Sequence, residues 1–172
     1  MTIVVALKGE DKSVWMGADS CISFGSSLQH TGDHTSTKIV HGRHWAMASA
    51  GRVMYIDPIE ENFSKLDKLS TFPDFLKAVI ELIKIVIPVP DREKGIDITL
   101  ILAQPGKIYK VWGDLTYTEF KEYAVAGVGE MVGLGSLYST TGLPRARVLT
   151  ALRAASNYVP GCLPPFQICK LW

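Results

Sequence analysis

The hydrophobic period of this sequence switches in blocks between two and about 3.6 residues, and the order of those blocks limits the architectures open to it. Thr2 to Leu7 and Ser13 to Ala18 are apolar runs rich in β-branched residues, on either side of the hairpin-length loop Lys8-Gly9-Glu10-Asp11-Lys12. Ser36 to His41 and Trp45 to Ala50 form a second hairpin around His41-Gly42-Arg43-His44. The period then turns helical. Val53 to Leu69 reads as a helix whose start is broken or offset by Pro58, and Ser70-Thr71 with Pro73 announces another. Within the second helix Phe75, Val79, Leu82, Ile83 and Val86 make an apolar stripe, and Pro88 and Pro90 end it. Strand patterning returns in Asp97 to Ala103 and Lys107 to Trp112, a hairpin across Gln104-Pro105-Gly106, and again in Tyr123 to Ala126. Gly127-Val128-Gly129 then leads into a helix to Tyr138. Pro144 opens a further helix with Val148, Leu149, Leu152 and Ala155 on one face, and Gln167 to Leu171 returns as a final strand.

Strands, two helices, strands, two helices and a strand predict an α+β fold. Hairpins imply antiparallel sheets, and two separate helical blocks imply two separate helical layers. Two stacked sheets, each covered on its outer side by helices, satisfy that order. With 172 residues the chain is expected to form one domain, 1–172.

Composition narrows the function classes. Hydrophobic residues make up 47% and charged residues 20%, which argues against disorder. Lys and Arg number 18 against 17 Asp and Glu, so no basic excess points to nucleic acid and no charge block to a membrane surface. The longest apolar stretch, Val79 to Val89, is interrupted by Glu81, Lys84 and Pro88, too short and too charged to span a bilayer. The first residues lack the basic region of a signal peptide, and Cys21, Cys162 and Cys169 suit a reduced compartment better than a disulfide framework. The cytoplasm is the expected location.

The chemistry concentrates in the first fifty residues. Thr2 follows Met1, and a small side chain at that position permits removal of the methionine. The product would carry an α-amine and a hydroxyl on one residue, a weak nucleophile joined to a base whose pKa is about 8. A lysine held nearby would lower the amine's pKa and favour the alkoxide, and an aspartate would keep that lysine charged and placed. Lys38 and Asp19 are the candidates. Singly, each also reads as an ordinary residue: Asp19 as a turn residue after a strand, Lys38 as a strand lysine on the face of Ser36 and Val40.

Together they form a pattern. The segment TIVVALKGEDKSVWMGADS, followed by TKIV and then AMASAG, resembles the start of proteasome β subunits and of the bacterial HslV-type peptidases, N-terminal nucleophile hydrolases. Further along, AVAGVGEMVGLGS and ALRAASNYVPGCLPPFQICKL resemble later segments of that family, and the proteasome homologues of β-proteobacteria are near in size. The resemblance implies a four-layer αββα sandwich. It implies Thr2 as nucleophile, Asp19 and Lys38 as its polar support, and Gly51 as the backbone donor to an oxyanion. Ser20, Ser49 and Val53 would flank the pocket for an uncharged substrate side chain. It further implies an endopeptidase acting on unfolded polypeptides without a cofactor, assembled as a homo-oligomeric double ring of six- or seven-membered rings, with an ATP-driven unfoldase as partner. The mean hydropathy of +0.16 fits apolar surface hidden between subunits. A non-catalytic ring subunit that retains Met1 is the alternative.

Two features depart from the family. A serine expected in the turn before the third helix is replaced by Gly127 or Val128, and the stretch from Asn157 to Pro165 offers no acid and no hydroxyl except that of Tyr158. Ser20 or an ordered water would have to substitute. Other motifs carry less. His30 and His34, near His41, His44 and Asp33, have metal-like spacing but lie in loop and strand rather than on one helix face, so no metal site is predicted. Gly133-Leu134-Gly135 lacks a nucleotide-binding context. Trp15, Trp45, Trp112 and Trp172 read as packing residues.

Overall fold

A computed structural model of the protein describes residues 2–24, 27–30, 37–52, 56–86 and 96–172. In chain order the elements are strands β1 (Ile3–Lys8), β2 (Val14–Ala18), β3 (Cys21–Phe24), β4 (Ser27–His30), β5 (Ile39–His41) and β6 (Ala46–Gly51), then helices α1 (Asp57–Leu66) and α2 (Phe72–Val86). Strands β7 (Ile98–Gln104), β8 (Lys107–Val111), β9 (Tyr117–Phe120) and β10 (Tyr123–Gly127) follow, then helices α3 (Glu130–Ser139) and α4 (Pro144–Tyr158) and strand β11 (Gln167–Leu171).

Antiparallel pairing builds a four-stranded sheet in the order β10-β1-β2-β11 and a five-stranded sheet in the order β5-β6-β7-β8-β9, with β3 and β4 as a separate pair. Strand alternation sorts the side chains into layers. Val4 and Ala6 of β1 face Ala46, Ala48 and Ala50 of β6 in a core between the sheets, where Ala18, Ala103, Ala124 and Ala126 also lie. These small residues let the sheets close on each other. Ile3, Val5 and Leu7 turn to the other side and pack with Val148, Leu152 and Ala155 of α4. Met47 of β6 and Leu100 and Leu102 of β7 pack with Ile59, Phe63, Phe75, Val79 and Ile83 of α1 and α2. The layer order is helices, sheet, sheet, helices.

Helix α2 begins at a side-chain cap. Thr71 Oγ1 accepts the Asp74 N–H and donates to Asp74 Oδ2, closing the first turn of α2. Phe75, Val79 and Ile83 of the expected stripe are buried and Leu82 is partly so; the side chain of Val86 lies outside the described set. Helix α1 is shorter than its periodicity predicts. Pro58 sits in its first turn, and 53–55 lie outside the described residues. At the other end Asp67 accepts the N–H groups of Arg43, His44 and Trp45, fixing the β5–β6 loop to the helix terminus. Three strands go beyond the sequence pattern: β3, β4 and the exposed edge strand β9, whose YTEF lacks a buried alternate face. Trp45 does pack, stacked on Phe75 at 4.3 Å between ring centres. Trp172 instead is exposed, with Lys170 Nζ 3.0 Å from its ring centre. Among the described residues no helix is long and apolar enough to cross a membrane.

Candidate active site

Thr2 stands at the head of β1, a central strand, and is buried. Asp19 follows β2, and the hairpin pairing brings it beside the same strand end: the Ile3 N–H donates to Asp19 Oδ1 at 2.8 Å, and the Asp19 N–H to the Ile3 carbonyl at 3.2 Å. Lys38 arrives from the other sheet, in a bend just before β5. Its Nζ lies 2.9 Å from Thr2 Oγ1 and 2.9 Å from Asp19 Oδ1. The three residues singled out in the sequence meet at one point.

Burying an ion pair is costly unless its remaining lone pairs are met. Asp19, with no exposed surface, meets that condition: Oδ1 takes Ile3 N–H and Lys38 Nζ, while Oδ2 takes Cys21 N–H at 3.0 Å and Leu163 N–H at 3.4 Å. Burial pulls the Lys38 ammonium below the ordinary lysine value, and the Asp19 carboxylate opposes that fall. An ammonium of this kind can donate to Thr2 Oγ1, stabilise negative charge there, and exchange a proton more readily than a solvated lysine.

Lys38 does not follow the alternation expected of it. Val40 packs against the α1–α2 layer, whereas the Lys38 amine points at the four-stranded sheet, because regular strand geometry begins only at Ile39. Its backbone is held from elsewhere: the Lys38 N–H donates to Gln167 Oε1 at 2.9 Å, and its carbonyl accepts the Ser49 N–H at 3.4 Å. Gln167 and the loop ahead of β11 carried no signal in the sequence, since their partners lie far away along the chain.

Gly51 ends β6 in a conformation with φ +129°, and a Cβ there would strike the Asp97 carbonyl oxygen. Ser49 N–H points to Lys38 and Arg52 N–H to Asp97, so alternation turns the Gly51 N–H toward the Lys38 side of the strand. Ser20 is buried, donating its hydroxyl to the Pro165 carbonyl and its N–H to that of Leu163. Ser49 is buried on the Met47 face of β6. Val53 lies outside the described residues, as do His34 and Asp33 and the side chain of His30. His41 and His44 are exposed, and no group of three His, Cys, Asp or Glu residues converges on a metal position among the described residues.

The turn after β10 closes the site from the other side. Gly127, at φ +96°, lies so close to the Thr2 carbonyl that a Cβ there would strike its oxygen, and the Gly129 N–H donates to that oxygen at 3.4 Å. Neither Gly127 nor the exposed Val128 brings a hydroxyl to it.

No protein-family model matches the chain, and no curated protein sequence does. Solved structures do match. The Thiobacillus denitrificans protein BPH superimposes with a TM-score of 0.80 at 20% identity, over 99% of this chain and 97% of that one. The same protein in complex with epoxomicin gives 0.79 at 16% identity, over 98% and 97%. HslV from Trypanosoma brucei gives 0.72 at 13% identity, over 98% of each chain. The layer order, the two antiparallel sheets and these superpositions together show that the chain has the N-terminal nucleophile hydrolase fold of the proteasome-like and HslV structures.

Proposed function

We propose that this chain is a threonine endopeptidase in which removal of Met1 turns Thr2 into both nucleophile and base. Thr2 Oγ1 attacks the scissile carbonyl while its proton passes to the Thr2 α-amine. The oxyanion that forms is met by the Gly51 N–H, and the amine then protonates the departing peptide nitrogen. Water hydrolyses the resulting ester and restores the hydroxyl. Lys38 stabilises charge on Oγ1, and Asp19 holds Lys38. The observation that carries this reading is the contact of one buried ammonium with Thr2 Oγ1 and Asp19 Oδ1, at 2.9 Å each.

The substrates are unfolded polypeptides with uncharged side chains before the scissile bond, because the candidate pocket residues Ser20, Ser49 and Val53 bring no charge. Assembly into a double ring of six- or seven-membered rings would confine the threonines, and an ATP-driven unfoldase would feed them. Exposed Met131, Tyr138, Leu143 and Tyr158 on and between α3 and α4 support an apolar contact face between subunits. Three unpaired cysteines support a cytoplasmic setting. The second reading, a non-catalytic ring subunit, draws on the turn 127–129, which lacks a hydroxyl to hold the amine.

Intact mass separates the two readings first, since only a chain that has lost Met1 is competent. The competent protein should hydrolyse small peptide amides, be blocked by epoxomicin, and lose activity to background in Thr2→Ala. Full activity in Thr2→Ala overturns the mechanism. A monodisperse monomer of 18.9 kDa in light scattering overturns the ring.

A further inference from the structure

We propose that Lys110, through its ion pair with Glu130, is a positioning residue for Thr2: it clamps both ends of the turn 127–129 and so presses that turn against the threonine's carbonyl. Lys110 sits on β8 and is 5% exposed, an unusual place for an ammonium. It shares a face with Ile108, whose side chain fills the core between the sheets, so its side chain crosses from one sheet toward the other. Its Nζ donates to the Val125 carbonyl at 2.9 Å and pairs with Glu130 Oε1 at 2.6 Å.

Those two partners bracket the turn. Val125 lies two residues before Gly127, and Glu130 is the first residue of α3. β10 is an edge strand, and its ladder bonds alternate. Lys8 N–H donates to the Glu122 carbonyl, so Val5 and Val125 form a pair without mutual ladder bonds and the Val125 carbonyl is turned off the sheet edge. Lys110 therefore meets an acceptor that no strand could satisfy. On the far side of the turn, α3 has no side-chain cap on its Gly129 N-cap, and the Glu130 carboxylate sits in the favourable field of the helix start.

Between these anchors the backbone of the turn approaches Thr2. A Cβ on Gly127 would strike the Thr2 carbonyl oxygen, and the Gly129 N–H donates to that oxygen. Gly127, Val128 and Gly129 have no polar side chain with which to fix themselves. Lys110 supplies that order from the opposite sheet. The catalytic half of this inference rests on Thr2 being the nucleophile; the clamp itself does not.

The test uses the full chain after Met1 removal, with Glu130→Gln as the principal variant, because Glu130 is half-exposed and the change keeps its volume, and with Lys110→Met beside it. Amide hydrogen exchange at Gly129 should quicken by about ten-fold in Glu130→Gln, while the Lys8 amide at the other end of the same strand pair stays within about two-fold. On a peptide amide, kcat should fall about ten-fold with KM within about two-fold, the signature of misplacement rather than lost substrate binding. Unchanged Gly129 exchange in Glu130→Gln overturns the clamp. Faster exchange with unchanged kcat overturns the positioning role. A wild-type protein that loses Met1 yet hydrolyses no peptide amide overturns the threonine reading and the positioning role of Lys110 with it, and the exchange measurement still decides the clamp. Should Lys110→Met fail to fold, Glu130→Gln carries both measurements.

Discussion

Gln167 Oε1 accepts the backbone N–H of Lys38 at 2.9 Å, so the first residue of the last strand fixes the residue that reaches Thr2. Replacing it with leucine leaves a part-buried N–H without its acceptor. Gln167→Leu should cost about 1–3 kcal/mol in a urea titration and lower kcat several-fold, with KM little changed. Unaltered stability and kcat would show that the Lys38 backbone is held without it.

Lys38 gives the protein a pH signature. Its folded value lies below the 10.5 of the unfolded chain, chiefly through burial. Between those two values the unfolded chain holds more protons than the folded one, so the stability attributable to Lys38 rises with pH across that window. Urea midpoints of the wild type, compared with Lys38→Met, should therefore improve relative to the variant as pH rises toward 10.5. A gap that shrinks over the same range contradicts the burial of a protonated amine. On the proposed mechanism Lys38→Met also loses a factor of about 100 or more in kcat.

Gly51 is a backbone requirement. A side chain at φ +129° is strained, and its Cβ would meet the Asp97 carbonyl. Gly51→Ala should destabilise by about 1–3 kcal/mol and, on the proposed mechanism, by shifting the N–H turned toward the Lys38 side, reduce kcat more than KM. Wild-type kcat in a folded Gly51→Ala removes Gly51 from the oxyanion site.

The thiols should be quiet. Burial pushes Cys162 and Cys169 up to about 11, with the Asp19 carboxylate adding to the effect at Cys162, and raises Cys21 as well. At pH 8 a thiol of pKa about 11 is ionised to roughly one part in a thousand. Alkylation of the native protein should be slow at all three, and complete only in denaturant. Rapid native labelling of Cys162 or Cys169 contradicts their placement.

Much of the architecture was legible because it is local. The β1–β2, β5–β6 and β7–β8 hairpins, helices α2 to α4 and strand β11 follow from period, prolines and glycine turns within short windows. β9 escaped because an exposed edge strand has no buried face to alternate against. At the site, Thr2, Asp19 and Lys38 stood out together through a family resemblance, not through spacing. Gln167, Leu163 and Pro165 did not, since a glutamine side chain or a loop carbonyl gains meaning only from a partner more than a hundred residues away. Lys110 was invisible for another reason: on a strand, a lysine beside tyrosine and valine reads as solvated until the second sheet is laid over it.

The segment from Leu163 to Gln167 bonds to Asp19, Ser20 and Lys38, three residues more than a hundred positions earlier. Loop closure over such distances comes late in folding. On a ribosome, the first hairpin can pair as soon as it emerges, but the frame around the threonine stays open until residues 163–167 have followed. A growing chain thus carries Thr2, Asp19 and Lys38 for more than a hundred residues before the groups that frame them exist.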